Sequence, residues 1–259
     1  MSTDRSSLKP VKSEIIYGIH PVFEALNAAR RRFFELLIEK KKTSGRITKI
    51  ISLAESRKLP LRRMKSDQIV ALIGTGAHQG VAARVGPYPF AALDDMLAPD
   101  DIAAGTCGLL LLDNLQDPHN LGAIIRTASC AGINGIVLPK DRSVPPTPAV
   151  SKASAGALEH MKIARVTNMA RTVTQLKERG LWIIGTDQAA QQSIYASDLT
   201  GPAAFVIGSE QKGIRPLIKK KCDFLISIPL SGPIQSLNAS VAAGIVVYEA
   251  YRQRRMLTP

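Results

Sequence analysis

Two glycine-bearing turns stand close together near the end of this chain, and their residues are suited to holding a ligand. Residues 205–213 run from an apolar strand into Gly-Ser-Glu-Gln-Lys-Gly, and residues 228–240 run from a second strand into another polar turn. We predict a helix from 241 to about 252 directly afterwards. Ligands of an α/β sheet bind at the carboxyl ends of its strands, and glycine lets backbone amides approach a ligand closely. Because no third glycine-rich phosphate loop accompanies them, the pair indicates a cofactor held mainly by backbone groups.

A third polar segment, residues 112–126, has the pattern of a strand end, a loop and a helix start. Asn120 stands where a helix N-cap would, and Arg126 is the one charged residue of the small, apolar helical stretch 121–132. Two interpretations stay open here. Either Asn120 caps the helix and Arg126 is a surface cation, or Arg126 is buried with a partner or directed at an anion.

Three more polar residues in the two turns are candidates for binding or catalysis. Glu210 could accept a hydrogen bond from a ligand amine or position a neighbouring side chain, and the alternative is an exposed residue in a helix-entry turn. Ser236 or Asn238 would be an adequate helix N-cap. Either side chain could also contact a ribose. Each segment alone is a weak signal, but the three together, in order and at strand ends, are a strong one.

The net charge of +13 is unevenly distributed along the chain. Residues 1–89 carry 17 Lys/Arg and 7 Asp/Glu, whereas residues 90–259 carry 17 and 14. A basic module attracts polyanions, of which nucleic acid is the commonest. We therefore expect nucleic-acid phosphates to meet the cation clusters at 30–32, 40–42 and 62–65, and the alternative is a solvated basic surface.

Cysteine and histidine usage argues against a metal site. The three cysteines and four histidines are scattered, and no Cys-x-x-Cys pair occurs, which is typical of reduced thiols in the cytoplasm. No apolar run reaches membrane-spanning length, and the first ten residues contain no hydrophobic signal core. We expect a cytoplasmic protein with neither a metal nor a membrane partner.

The pattern of apolar residues divides the chain into two α/β parts. Residues 1–13 are predicted to form a flexible tail, 14–86 a compact α/β module, 87–105 a linker with a short helix, and 106–259 a second domain. Strands that are apolar on both faces are typical of a parallel sheet covered by helices. The second domain is predicted to contain five such strands: 108–112, 135–138, 181–185, 203–207 and 224–228. A Pro-rich loop, 140–148, is expected to flank the site.

Taken together, the three polar segments resemble the motifs of the SpoU/TrmH branch of the SPOUT RNA methyltransferases. Asn120 and Arg126 look like the first motif, residues 208–213 like the second, and residues 228–240 like the third. The likeness covers about residues 106–255. Residues 16–20 and 78–80 of the front module are similar to the substrate-binding domain that many members carry before the catalytic domain.

The resemblance implies a parallel-sheet domain with a deep trefoil knot, a rare exception to the usual connection rules. It implies S-adenosylmethionine as the cofactor, bent within the knot and contacted by residues of the second and third motifs. It also implies a homodimer, with the final helix and the first-motif region at the interface. Five positions of this chain are the expected cofactor contacts: Gly208, Gly213, Ile228, Leu230 and Leu237.

The activity implied by the resemblance is methylation of a ribose 2′-hydroxyl in RNA, with a guanosine of large-subunit ribosomal RNA as the expected target. Arginine is effectively always protonated, so Arg126 is assigned to gripping a phosphate and stabilising negative charge rather than to proton abstraction. Asn120 would orient Arg126 or the ribose, Glu210 would hold that arrangement, and Ser236 and Asn238 would line the nucleotide pocket. The alternatives are a tRNA ribose methyltransferase of the same family and a non-catalytic RNA-binding assembly factor.

Overall fold

The computed structural model describes residues 12–209 and 212–257. The chain divides into two compact units, residues 1–89 and 90–259. The flexible tail predicted over residues 1–13 lies outside the described residues, apart from its last two. The described part contains no helix that is long and apolar enough to cross a membrane.

The N-terminal unit is a four-stranded sheet with three helices. The sheet order is β1-β4-β2-β3, in which β2 and β3 are parallel and the other two pairs are antiparallel. Apolar side chains from α1, α2 and the strands form its core. In chain order the elements are β1 (Glu14–Tyr17), α1 (Ile19–Ala28), β2 (Phe33–Glu39), α2 (Gly45–Ser56), β3 (Leu61–Met64), α3 (Ser66–Ile73) and β4 (Val81–Val85).

The C-terminal unit is a six-stranded, all-parallel sheet, which confirms the predicted α/β class. The strand order is β10-β8-β9-β5-β6-β7. The elements are α4 (Pro99–Ala103), β5 (Gly108–Leu112), α5 (Pro118–Cys130), β6 (Gly135–Pro139), α6 (Pro148–Ala153), β7 (Ile163–Val166), α7 (Met169–Glu178), β8 (Trp182–Thr186), β9 (Ala203–Ile207), α8 (Pro216–Lys219), β10 (Phe224–Ile226) and α9 (Ala239–Leu257).

Two short strands differ from the predicted pattern. β7 is a sixth strand of the parallel sheet, beyond the five predicted. β1 lies at the start of residues 15–30, whose apolar pattern predicts a turn followed by a helix. Each has four residues and stands at the edge of its sheet, and Arg165 on β7 is exposed. An edge strand buried on part of its surface lacks the continuous apolar run that marks a central strand.

The segment predicted as a linker contributes to the core of the C-terminal unit. Met96 and Leu97 are 1% and 5% exposed and pack with apolar residues of the sheet and helices. Met96 lies directly over Gly135, where a Cβ atom would come 1.9 Å from the methionine sulfur. This segment therefore packs as part of the compact C-terminal unit, residues 90–259.

The strand order of the parallel sheet reverses between β5 and β9. From β5 the chain proceeds outward through β6 and β7, and it then crosses to β8 on the other side. The loops after β5 and β9 diverge at such a point and leave a crevice at the carboxyl edge of the sheet. Two of the three polar segments found in the sequence, 112–126 and 205–213, contain these two loops.

Candidate functional site

A cavity of about 320 Å³ opens at the carboxyl ends of β8, β9 and β10. Its apolar wall includes Ile226, Ile228 and Leu237, and Gln188 and Gln235 add polar groups. Four of the five expected cofactor contacts line it, namely Gly208, Gly213, Ile228 and Leu237, together with Ser236. The half-buried Leu230 is not among the described residues that line this cavity.

The wall next to β9 is formed by main chain. Ser209 N donates to Gly213 O over 3.2 Å, and Gly213 N donates to Ser209 O over 2.9 Å, so the turn folds back on itself. A Cβ atom at Gly208 would lie 2.1 Å from the Gly213 carbonyl carbon, and Gly213 has a φ of +61°. Both positions therefore require glycine. Glu210, within this turn, lies outside the described residues.

A second, polar cavity of about 680 Å³ adjoins the first. Ser209 and Lys212 line both cavities. The loop after β5 contributes three polar residues, the first turn of α5 contributes Asn120, and Arg142 comes from the Pro-rich loop after β6. The Pro-rich loop thus flanks the site. The first cavity combines an apolar wall and main chain with polar side chains, whereas the described lining of the second consists of polar and charged residues alone.

Asn120 and Asn238 are in direct contact, although 118 residues separate them. Asn238 Nδ2 donates to Asn120 Oδ1 over 3.0 Å. Asn238 Oδ1 also accepts from Ser240 N over 2.8 Å, so Asn238 caps α9, as one reading of the sequence predicts. The contact joins the first and third motifs.

The predicted cap of α5 is wrong by three residues. Asp117 precedes the helix, and its Oδ1 accepts from His119 N over 2.9 Å, with Pro118 as the first helical residue. Proline is favoured at that position because it has no N–H to leave unpaired. Asn120 lies in the first turn instead, where its side chain is available to Asn238.

Arg126 is exposed and is not among the described residues that line either cavity. Six residues separate it from Asn120, so it lies about 120° around the helix and about 9 Å further along the axis. Its neighbour Thr127 faces α9, with Thr127 Cγ2 3.6 Å from where a Cβ of Gly244 would be. The sequence analysis predicts that Arg126 lies beside the two glycine-bearing turns. In the structure of one chain, the geometry of α5 places it outside both cavities.

Sequence reasoning missed a buried ion pair that connects the loops after β5 and β9. Asp113 is fully buried, and its Oδ1 lies 2.6 Å from Arg215 Nη2 and 2.8 Å from Arg215 Nε. Asp113 Oδ2 accepts from Arg215 N over 2.9 Å. The available signal was an acid placed directly after an apolar strand, where burial requires a partner.

The end of β8 also contributes residues that the sequence did not single out. Thr186, Asp187 and Gln188 line the first cavity. Burial alone would raise the pKa of Asp187, but hydrogen bonds from Lys219 and Ala189 N, together with the lysine charge, hold that pKa below its ordinary value. Asp187 is therefore a carboxylate with a fixed orientation. Its signal was a polar run at a third strand end.

In the N-terminal unit, the two segments singled out by the sequence meet at one end of the sheet. Gln79 Oε1 accepts from Ile19 N over 3.1 Å, and Gly18 N donates to Val81 O over 2.9 Å. Because β1, β2 and β3 run in the same direction, their carboxyl ends lie at this same end. Exposed cations gather there: Lys40, Lys41, Lys42 and Lys65.

One of the predicted phosphate contacts in the N-terminal unit is wrong. Arg31 is 6% exposed, and its Nη1 lies 2.9 Å from Glu14 Oε2. The guanidinium also lies 5.3 Å from the ring centre of Tyr88. An arginine that is buried against a carboxylate and an aromatic ring is held for structure rather than for RNA.

The profiles of two families match this chain. That of the SpoU rRNA methylase family matches residues 108–248, and that of the RNA 2′-O ribose methyltransferase substrate-binding family matches residues 15–91. The chain belongs to the SpoU rRNA methylase family. The resemblance found in the sequence is thus confirmed. The second profile covers the N-terminal unit of this SpoU-family chain.

Relatives and solved structures agree over nearly the whole length of this SpoU-family chain. A Bacillus subtilis protein named putative TrmH family tRNA/rRNA methyltransferase YacO is 45% identical over 244 residues, covering 93% of this chain and 96% of the relative. The 23S rRNA (guanosine-2′-O-)-methyltransferase RlmB of Shewanella oneidensis is 42% identical, covering 94% and 99%. The SpoU methyltransferase AviRb of Streptomyces viridochromogenes, in complex with AdoMet, is 25% identical with a TM-score of 0.79, covering 94% and 91%.

Proposed function

We propose that this protein transfers a methyl group from S-adenosylmethionine to the 2′-hydroxyl of a guanosine in large-subunit ribosomal RNA. The observation that carries the proposal is the pair of adjoining cavities that share Ser209 and Lys212. A methyl donor and an RNA nucleotide need neighbouring but different sites, one largely apolar and one polar. Relatives named 23S rRNA (guanosine-2′-O-)-methyltransferase, 42% identical over nearly the full chain, support this choice of substrate.

The first cavity fits the proposed cofactor. Because Gly208 has no side chain, the main chain of Gly213 packs directly against it, and the backbone groups of this wall can hydrogen-bond to a purine edge. Ile228 and Leu237 offer apolar surface to a flat ring. When bound, S-adenosylmethionine supplies an electrophilic methyl group. Gly213 keeps the turn closed over this site.

The second cavity is proposed to hold the acceptor nucleotide. The contact with Asn238 fixes the carboxamide of Asn120 at the wall of this cavity, beside the proposed position of the ribose. Lys212, shared by both cavities, would place positive charge near the oxygen as its proton leaves. Ser236, at the edge of the first cavity, and Glu210 are assigned to positioning the nucleotide.

We propose that Arg126 acts across a homodimer. It lies outside both cavities of its own chain, next to helix α9. The outer face of α9 exposes large apolar residues, with Val241, Tyr248 and Tyr251 at 49%, 47% and 40%. A second copy that covers this face would bring Arg126 near the partner's cavities, where it can grip the RNA phosphate. We also propose that the chain around residues 205–240 forms the knot expected of this fold. A cytoplasmic location is a further part of the proposal.

Mixed dimers test the role of Arg126. We expect R126A and G208A proteins each to lose methyl transfer, because one lacks the guanidinium and the other the cofactor site. Co-expression should restore roughly a quarter of wild-type activity, because half of the dimers are mixed and each mixed dimer has one complete site. Absence of restored activity, with dimers present, would refute action in trans.

The RNA substrate is tested in cells that lack the protein. Mass-spectrometric mapping should show one 2′-O-methylguanosine missing from large-subunit RNA and regained when the gene is returned. The name of the Bacillus relative also includes tRNA, so methyl incorporation into purified tRNA should be measured in parallel. Loss of a tRNA methylation instead would select the second candidate, and failure to bind S-adenosylmethionine in calorimetry would select an assembly factor.

A further inference from the structure

A third cavity, of about 900 Å³, lies beside the polar one and is assigned to nothing above. It opens between the end of β6, the start of α7 and the start of α8. Arg142 lines both the second and the third cavity, so the two adjoin at this residue, and we call them together the groove. The groove runs along the carboxyl edge of the sheet, away from the cofactor cavity.

Arg142 stands at the boundary of the two cavities in a fixed loop. Lys140 N donates to Val166 O over 2.8 Å, and Val144 N donates to Leu115 O over 2.9 Å, so hydrogen bonds hold both sides of the loop. Arg142 itself has a φ of +58°. Its guanidinium is exposed and makes no hydrogen bond or ion pair with the described residues. It is therefore a cation held in position without an internal partner.

Unsatisfied polar atoms lie at the same boundary. Ser143 Oγ, next to Arg142, and Asn114 Oδ1, in the wall of the second cavity, are buried and have no hydrogen-bond partner among the described residues. Buried polar atoms are nearly always paired with protein, water or ligand. Both atoms have almost no accessible surface, so they lie beneath the wall of the groove and a ligand would not contact them.

The third cavity itself combines charge with an apolar surface. Arg215 is anchored by Asp113 and is 40% exposed. Leu217, which is 62% exposed, and Met169 give this cavity its apolar surface. One acidic side chain, Asp141, also lines the cavity and would repel a phosphate on its own side. Arg215 is already paired with Asp113, so Arg142 is the cation of the groove that we assign to a phosphate. The exposed Leu217 is the apolar surface that we assign to a flat base.

We propose that the third cavity binds the nucleotide next to the methylated one in an unpaired stretch of the RNA. The inference rests on the proposed function. The phosphate that links the two nucleotides meets Arg142, and the neighbouring base packs on Leu217. Unpaired nucleotides can be splayed into separate pockets in this way, whereas paired ones cannot.

Three single variants of the full-length protein test this groove: R142A, L217A and K220A. Lys220 is an exposed cation at the far end of α8 and is not among the described residues that line the groove, so K220A is the matched charge control. The probe is a transcribed hairpin from large-subunit RNA. Affinity is measured at several salt concentrations, along with methylation kinetics and S-adenosylmethionine binding.

We expect R142A to weaken RNA binding about tenfold and to lower the slope of log Kd against log salt by about 0.7, the value for one single-strand phosphate. L217A should weaken binding about fivefold with the slope unchanged, because the lost contact is apolar. K220A should match the wild type, and all three variants should bind S-adenosylmethionine normally. An oligonucleotide that ends at the acceptor nucleotide should bind wild type and L217A equally.

Wild-type affinity and slope in R142A would overturn the proposal, as would equal losses in R142A and K220A, which would indicate general attraction only. A slope change in L217A would also contradict it. Because binding is measured directly, the groove is judged even if the wild type methylates no RNA. A wild type that methylates no RNA would refute the proposed function, and the binding measurements would still decide whether the groove contacts RNA.

Discussion

Among single residues, Asn238 has two roles. It fixes a carboxamide at the wall of the polar cavity, and Asn238 also caps the last helix through Ser240 N. The two roles use different atoms of Asn238, so they can be separated by substitution.

We expect N238S to keep the cap and lose the contact, because serine caps helices well but is too short to reach Asn120. N238A should lose both. Both variants should therefore transfer methyl groups roughly tenfold more slowly, as expected for a lost positioning hydrogen bond. Only N238A should also lose about 1 kcal/mol of stability. Single-turnover kinetics and urea unfolding measure the two effects, and a fully active N238S would remove the positioning role.

The structure leaves no room for a side chain at Gly208. G208A would place a methyl group 2.1 Å from the Gly213 carbonyl carbon, so the turn must open. We expect about 1–3 kcal/mol of lost stability and at least tenfold weaker S-adenosylmethionine binding in calorimetry. At Gly232 an added methyl group would have no atom within 4 Å, and G232A, as control, should change stability by less than about 0.5 kcal/mol. Unchanged cofactor affinity in G208A would contradict the assignment of the cavity.

At the scale of elements, the buried pair of Asp113 and Arg215 joins the loops on either side of the crevice. The fully buried carboxylate depends on the guanidinium for its counter-charge. Removing one partner of such a pair costs more than the pair contributes, because the remaining charge stays buried.

R215A should therefore destabilise the protein by about 3 kcal/mol. D113N should cost less, about 1–2 kcal/mol, because the amide oxygen still accepts from the arginine. Chemical unfolding measures both. The exposed Arg171, on α7, offers the control R171A, which should remain close to wild type. A smaller loss for R215A than for D113N would refute this description of the pair.

The central strands of the parallel sheet could be predicted because they are apolar on both faces, and the three motif loops because they are polar and follow those strands. β1 and β7 could not be predicted, because a short edge strand has too few buried residues to show the two-residue repeat of a β-strand. Asp113 and Arg215 are 102 residues apart in the chain. A single sequence has no pattern that shows which residues pair over such a separation. The location of Arg126 outside its own cavities depends on where α5 begins, and Asp117 and Pro118 start it three residues earlier than expected.

At the scale of the whole molecule, the boundary between the units decides which parts can be studied separately. A chain starting at residue 90 retains Met96 and Leu97, whereas one starting at 100 loses both from the core. We expect residues 90–259 to bind S-adenosylmethionine like the full protein and to bind RNA weakly, because the basic cluster at the end of the first sheet is gone.

Residues 100–259 should be less stable than residues 90–259 by about 2–5 kcal/mol, the usual cost of emptying a buried methionine site. Thermal and urea unfolding of the two shortened chains, side by side, measure the difference. Equal stability would mean that the segment 90–99 is dispensable. RNA binding by residues 90–259 that equals the full chain would assign another role to the N-terminal unit.

Two thiols report on global unfolding. Burial raises the pKa of Cys107 and of Cys222 from 9.0 to about 11. Below pH 9 both should resist alkylation in the folded protein and react once it is denatured. The raised pKa values stabilise the folded state fully below pH 9, and this contribution is lost as pH rises towards 11, because the unfolded thiols ionise first. C107A/C222A should show a smaller fall in unfolding free energy over that window. Rapid alkylation of either thiol in the native state would contradict their burial.

The amide pair that joins the first and third motifs also determines what a pH–rate profile can report. Carboxamides neither gain nor lose protons across the range in which enzymes are assayed, so the relative placement of the two motifs stays the same from mild acid to mild alkali. An inflection in the rate of methyl transfer then belongs to an ionisable group of the RNA or the enzyme outside this contact. Kinetic titration of this enzyme would thereby give the apparent pKa of a group that takes part in the reaction, with no contribution from the contact between the two motifs.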